Sequence, residues 1–247
     1  MTDVMDQVSW SGASVWDERC DVRFEINRPM DCSDLWNSYL SGAVVSYRQY
    51  GVEAALDLPS IVTGASTSLF VVGIDSNGDV VSGLRVQGPL RSSDDAHITQ
   101  EFSGSPVVRA IIDEAVPYGV IEIKGCWVDS AIENRSAVSD ALARCYVHAM
   151  DVLGVRYACC SVAAHAVRRW QSTGGQLVKE LAPVPYPDDR YETVMLWWDR
   201  TVIDRIADQA QMSQVRRESE QLRIWHQEEH RERVLQQELA SKRVIAA

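Results

Sequence analysis

Residues 68–74 and 80–86 are two β-rich runs on either side of Asn77-Gly78, and they decide much of the architecture. Asn-Gly is the favoured dipeptide of a tight hairpin, because both residues tolerate the backbone conformation that the turn demands. In the first run Phe70, Val72 and Ile74 share one face, while Leu69 and Val71 share the other. A strand with one wet face alternates apolar and polar residues, whereas this one is apolar on both. The hairpin is therefore expected inside a sheet covered on its two sides.

The rest of the chain supplies the covering. The alternating run Val-Arg-Phe-Glu-Ile at 22–26 reads as a strand. Asp31 or Ser33 is placed to cap a helix carrying Leu35, Trp36, Tyr39, Leu40 and Val44 at helical spacing. A short helix at 52–58 stops at Pro59. A polar loop at 91–97 leads to a helix at 106–115, with Pro106 in its first turn. From Gly119 onward the pattern is strand 120–128, helix 136–153 ended by Gly154, strand 155–162 and short helix 164–172. Two further strands at 177–181 and 191–198 flank a polar connection at 183–190. A hairpin followed by β-α-β-α-β predicts an α+β protein, an α/β sandwich with a central mixed sheet and flanking helices.

Three regions result. Residues 1–20 are polar and aperiodic, an N-terminal arm; 21–199 form the folded domain; 200–247 form a C-terminal polar helix. From 201 to 243 there is no Pro or Gly, and Val215, Leu222, Trp225, Leu235 and Leu239 make a narrow, interrupted stripe. A polar helix of that kind is marginal alone in water, so the stripe is expected to dock on the body or on a second subunit.

With 247 residues the chain can bury a core without staples, and 46% hydrophobic against 24% charged residues excludes wholesale disorder. No apolar run approaches the roughly 20 residues of a membrane-spanning helix. Asp3 and Asp6, with no basic region beside them, argue against a signal peptide, so the cytoplasm is the expected location. The net charge is −11; residues 200–247 hold 9 basic and 8 acidic side chains, the remainder 15 and 27. So acidic a body disfavours nucleic acid and anionic membranes as partners. Cys20, Cys32, Cys126, Cys145, Cys159 and Cys160 lack Cys-x-x-Cys spacing and read as reduced, buried thiols. His226-Gln227-Glu228-Glu229-His230 formally matches a zinc pattern, but it lies on a polar helix with no cavity in prospect, so no metal is expected.

Three segments carry a family resemblance. Glu122-Ile123-Lys124-Gly125-Cys126-Trp127-Val128 is similar to a Glu-Ile-x-Arg-x-x-Val strand, with Gly125 in place of the Arg. Asn134-Arg135-Ser136-Ala137-Val138-Ser139 occupies the place of an Arg/Gln-x-x-Gly-x-Gly/Ala turn. Ala166-Val167-Arg168-Arg169-Trp170-Gln171-Ser172-Thr173-Gly174 is similar to an Ala-x-x-Phe-Tyr-x-x-x-Gly helix. In this order, over residues 20–199, they resemble the GNAT acyltransferases, and most of all the branch of acyl-homoserine lactone synthases and long-chain N-acyl amino acid synthases.

The resemblance implies an N-acyltransferase that moves an acyl group from coenzyme A or an acyl carrier protein to a small amine such as an amino acid. It places the donor's phosphates at Asn134, Arg135, Ser136, Ala137 and Ser139, where a helix start offers free N–H groups; an ordinary helix start with a solvated Arg is the alternative. Backbone N–H groups near Trp127 or Val128 would hold the thioester oxygen. Glu122, inside an apolar strand, would be the base, or would simply pair with Lys124. Trp170 lines the donor site where the family places a proton-giving Tyr, and an indole has no proton to give. Arg85 would meet a substrate carboxylate, or be an ordinary salt-bridged strand Arg. The competing reading is a catalytically inactive GNAT-like scaffold assembled through residues 201–243.

Overall fold

The computed structural model describes residues 10–245. Residues 1–9 of the expected arm, and the side chain of Leu239, lie outside the described residues.

The centre is an eight-stranded sheet made of β1 (Ala13–Asp17), β2 (Val22–Asn27), β3 (Leu69–Asp75), β4 (Val80–Gln87), β5 (Val120–Val128), β6 (Tyr157–Ala163), β7 (Gln176–Leu177) and β8 (Thr193–Asp199). Its order is β1-β2-β3-β4-β5-β6-β8-β7, and every pair is antiparallel except β5 with β6. The hairpin expected around Asn77-Gly78 is the β3–β4 pair at the sheet's middle. Asp75 closes its loop by accepting the N–H groups of Asn77 and Asp79, both at 2.9 Å. β1 lies inside the stretch read as an arm; its five residues pair with β2 from Ala13↔Ile26 to Asp17↔Val22. So short a strand, with Ser14 and Asp17 in it, carries no periodic signal.

Helices cover both faces, as the doubly apolar strands require. On one face lie α1 (Ser33–Gln49), α2 (Leu58–Ile61), α3 (His97–Glu101) and α4 (Pro106–Ala115), over Phe70, Val72, Val120, Cys159 and Met195. On the other lie α5 (Arg135–Leu153), α6 (Val167–Gln171) and the end segments α7 (Ile203–Ile206) and α8 (Gln209–Ile245), over Leu69, Val71, Ile121, Ile123 and Trp198. Cys159 and Cys160 accordingly fall in different clusters, packing and not forming a redox pair. α1 approaches β5 so closely at Gly42 that a Cβ there would meet the Trp127 ring at 2.0 Å.

The C-terminal helix docks on the body. Met212, Val215 and Leu222 are buried in the α5-side core, and Trp225 packs against it with its ring 6.4 Å from that of Trp10. Leu235 is exposed. A buried polar cluster adds to this contact. The Arg144 guanidinium donates to both oxygens of Glu218 at 2.9 and 3.0 Å, to Gln211 at 2.9 Å and to Asp17. His148 Nε2 lies 2.8 Å from Glu218 Oε2. α5, α8 and β1 are thereby tied in one network. Among the described residues no helix is long and apolar enough to cross a membrane.

Candidate active site

The sheet opens at one place. β5 and β6 run in parallel register only from Val120↔Tyr157 to Glu122↔Cys159. Beyond that pair both strands continue without pairing to each other, and β6 stays bonded to β8 along its whole length. On the other side of β5 the register with β4 shifts between Gly83↔Trp127 and Arg85↔Lys124, so two residues of β5 oppose one of β4. This bulge is possible because Gly125 takes φ +57°, a conformation that costs other residues more. It is pinned by Tyr39, whose hydroxyl donates to the Gly125 carbonyl at 2.8 Å; a Cβ at Gly125 would meet that hydroxyl oxygen at 2.3 Å.

A cavity of about 540 Å³ passes through the opening. Ile123, Lys124, Gly125 and Cys126 of β5 face Ser161, Val162 and Ala163 of β6 across it. Tyr146 and Trp170 wall it on the α5 side, their rings 4.8 Å apart. Tyr47, Tyr50, Glu101, Tyr186 and Tyr191 wall it on the α1 side. Burial pushes the Cys126 thiol up to about 12, so it stays protonated and packs as a small apolar group.

Four charged or ionisable groups meet at the α1-side end. The Lys124 ammonium lies 2.5 Å from Glu101 Oε1, 2.7 Å from His97 Nδ1 and 3.3 Å from Glu122 Oε1. Burial works against its charge, but Glu122 and Glu101 outweigh burial and hold it protonated. Burial likewise works to raise the Glu101 carboxyl, yet Lys124, His97 and Ser161 bring it down to about 2. Both oxygens of Glu122 accept backbone N–H groups at the start of α3, from His97 at 2.7 Å and Ile98 at 2.9 Å. His97, Glu101 and Glu122 converge within 4.8 Å, as metal ligands would, and the Lys124 ammonium supplies the cation among them.

The residues singled out by sequence divide accordingly. Trp170 lines the cavity as expected. Glu122 is fully buried behind the cavity wall, paired with Lys124 and capping α3. Trp127 and Val128 lie past the bulge: the extra residue turns the Trp127 indole under α1, and the strand segment on the cavity is Ile123–Cys126 instead. Arg85 is buried on the α1 side, 3.5 Å from Gln87 Oε1, and does not line the cavity. Glu101 was missed, since residues 97–101 sit at the edge of a stretch that reads as loop. Its one signal is the i, i+4 spacing of His97 and Glu101 alongside Ile98 and Phe102.

Asn134, Arg135, Ser136, Ala137 and Ser139 form the start of α5, whose first turn no side chain caps. Ser139 donates to the Arg135 carbonyl at 2.8 Å. Arg169 of α6 reaches this turn, donating to the Ser136 carbonyl at 2.8 Å and to Asp140 at 2.6 Å. Arg135 is exposed in this first turn, and Arg169 is paired there with Asp140. The turn adjoins the cavity through α6, since Ala166 and Trp170 belong to the cavity wall.

No protein-family model matches the chain. Over 212 residues it is 42% identical to the uncharacterized protein Rv1356c of Mycobacterium tuberculosis, covering 85% of this chain and 81% of that one. Identity and coverage are the same for the uncharacterized protein Mb1391c of Mycobacterium bovis. Among solved structures it is similar to FeeM, an N-acyl amino acid synthase from uncultured soil microbes, with TM-score 0.53 and 11% identity over 77% of this chain and 98% of that one. It is also similar to BjaI, a CoA-dependent acyl-homoserine lactone synthase, with TM-score 0.50 and 11% identity over 76% and 84% of the two chains. At such identities the likeness is one of fold, and it bears out the GNAT-like sheet read from the sequence.

Proposed function

We propose that this chain, which belongs to the same family as the mycobacterial proteins Rv1356c and Mb1391c and has a GNAT-like acyltransferase fold, is an N-acyltransferase. It takes an acyl group from the thioester of coenzyme A or of an acyl carrier protein and passes it to a small amine. The observation that carries this reading is the parting of β5 from β6 beyond Glu122 and Cys159, with the bulge at Gly125 and a cavity through the gap. A freed strand edge offers backbone N–H groups to a ligand lying along it.

The thioester lies along β5, its carbonyl oxygen taking a hydrogen bond from a backbone N–H at the bulge, where negative charge develops. The phosphates of the donor lie at the uncapped start of α5, beside Arg135 and Arg169. The amine nitrogen attacks the carbonyl carbon and the C–S bond breaks. The amine's proton leaves through the Glu101–His97 pair to solvent, since a carboxyl held at about 2 relays a proton and does not keep it, while Glu122 holds Lys124 and α3 in place. The leaving thiolate is protonated by a cavity phenol. Tyr186, which burial and Glu101 push up to about 12, carries its proton at neutral pH.

The test is release of free thiol from acyl-CoA donors of graded chain length in the presence of amines. Glu101→Gln should lower turnover by about 10²–10⁴-fold while donor binding persists. The scaffold reading draws support from Trp170 in the place of a proton donor. Tight donor binding with no thiol released for any amine would establish that reading instead.

A further inference from the structure

The charges around the cavity are sorted by sign. Arg135 and Arg169 stand at the α5 start, Arg169 paired with Asp140. At the opposite end Glu101 and Lys124 line the wall with Tyr186, and Glu122 lies behind Lys124. The Lys124 ammonium is already engaged on three sides, with Glu101, His97 Nδ1 and Glu122 at 2.5, 2.7 and 3.3 Å. Glu101 is less fully engaged. Its side chain is 1% exposed, Oε1 is taken by Lys124 and His97, and Oε2 has no hydrogen bond of good geometry among the described residues, although the Ser161 hydroxyl acts on the carboxyl. A buried carboxylate oxygen short of donors is costly, and a cation or an N–H donor entering the cavity would supply one.

Among the described residues the same end has no guanidinium with which to hold an anion. Arg85, the residue placed by sequence to meet a substrate carboxylate, is turned away under α1. Among the described residues the only Lys or Arg on the cavity wall is Lys124. Around the remaining wall Tyr47, Tyr50, Tyr186 and Tyr191 present aromatic rings, surfaces that favour a cation.

We infer that the acceptor is a cationic amine without a carboxylate, its ammonium held at Glu101 among the tyrosines, and so not an amino acid. The inference rests on the acyltransferase reading for the amine's fate, but not for its binding. Glu101 is then the residue that sets acceptor specificity, since a carboxylate beside the amine would face Glu101, and among the described residues the one Lys or Arg on the wall, Lys124, is already paired.

The experiment measures calorimetric binding to the full chain of matched pairs differing only in a carboxylate: tyramine and tyrosine, phenethylamine and phenylalanine, putrescine and ornithine. At least one amine should bind tenfold or more tightly than its carboxylated counterpart. Glu101→Gln should abolish that preference, and Glu101→Asp should retain part of it. If Glu101→Gln does not fold, the wild-type pairs and Glu101→Asp still decide the matter. Equal or tighter binding of the carboxylated member in every pair would overturn the inference. Thiol release from octanoyl-CoA with the same pairs separates the two readings. An amine preference without turnover leaves the cation site standing and removes acyl transfer; turnover favouring amino acids keeps acyl transfer and removes the cation site.

Discussion

Arg144 on α5 and Glu218 on α8 are joined by two hydrogen bonds of 2.9 and 3.0 Å, and both residues are buried. Removing one partner strands the other charge out of water, which costs about 3–5 kcal/mol. Arg144→Met strands Asp17 and Glu218 together, so it should lower the melting temperature by roughly 10 °C, at about 2–4 °C per kcal/mol in a chain of this size. Glu218→Gln keeps a hydrogen-bonding group and should cost less. Thermal denaturation followed by circular dichroism reads both, and a melting temperature unchanged in Arg144→Met would contradict the buried network.

The same pair sets an acid limit. Burial works to raise the Glu218 carboxyl, but His148 and Arg144 prevail and bring it from an ordinary 4.5 to about 2. Glu101 is lowered to about 2 as well. A carboxylate with a lowered folded-state pKa stabilises the fold above its unfolded value and loses that contribution as pH falls through the folded one. Urea midpoints should therefore hold steady down to about pH 4.5 and drop steeply from there toward pH 2. In Glu218→Gln the drop should be shallower.

Gly125 combines φ +57° with a Cβ position 2.3 Å from the Tyr39 hydroxyl oxygen. Gly125→Ala should cost about 1–3 kcal/mol in urea unfolding and weaken binding of an acyl-CoA as the strand edge shifts. Tyr39→Phe, which removes only the hydrogen bond to the Gly125 carbonyl, should cost about 1 kcal/mol. Equal donor affinity in wild type and Gly125→Ala would detach the bulge from donor binding.

Arg135→Glu reverses an exposed charge at the uncapped start of α5. Stability should change by less than about 0.5 kcal/mol, while calorimetry should show coenzyme A bound at least several-fold more weakly. Unaltered affinity would move the phosphates elsewhere.

The contacts of α8 with the body run through Met212, Val215, Glu218, Leu222, Trp225 and His226. A chain ending after His230 should melt with the full-length protein. One ending after Asp208 should lose the Arg144 partners on α8 and fail to fold stably. Light scattering and melting curves of the two separate a docked helix from an appendage.

Much of this architecture could be read from residues alone. The hairpin, the apolar strand at 120–128 and the helix ended by Gly154 carry strong local periodicity, and each is present. β1 and α3 carry little, because five residues hold too few repeats to show a period. The departure of β5 from β6 has no local signature; it follows from what packs on either side. Arg144 and His148 stand one turn apart in an apolar stretch with Ala141, Leu142, Cys145 and Val147. That placement was the available signal for a buried network. Glu122 was legible as a costly buried carboxylate, but its partners at the start of α3 come from 24 and 25 residues away in sequence.

The gap between β5 and β6 is a notch and not a hole: the strands part after Glu122 and Cys159 and are not rejoined by pairing. A ligand can therefore be laid into it sideways. A donor whose acyl arm hangs from a bulky head, whether a nucleotide or a whole folded protein, need never thread that head past the strands. For a donor of the proposed kind, free or protein-borne, size at the far end of the arm would then be no barrier to loading.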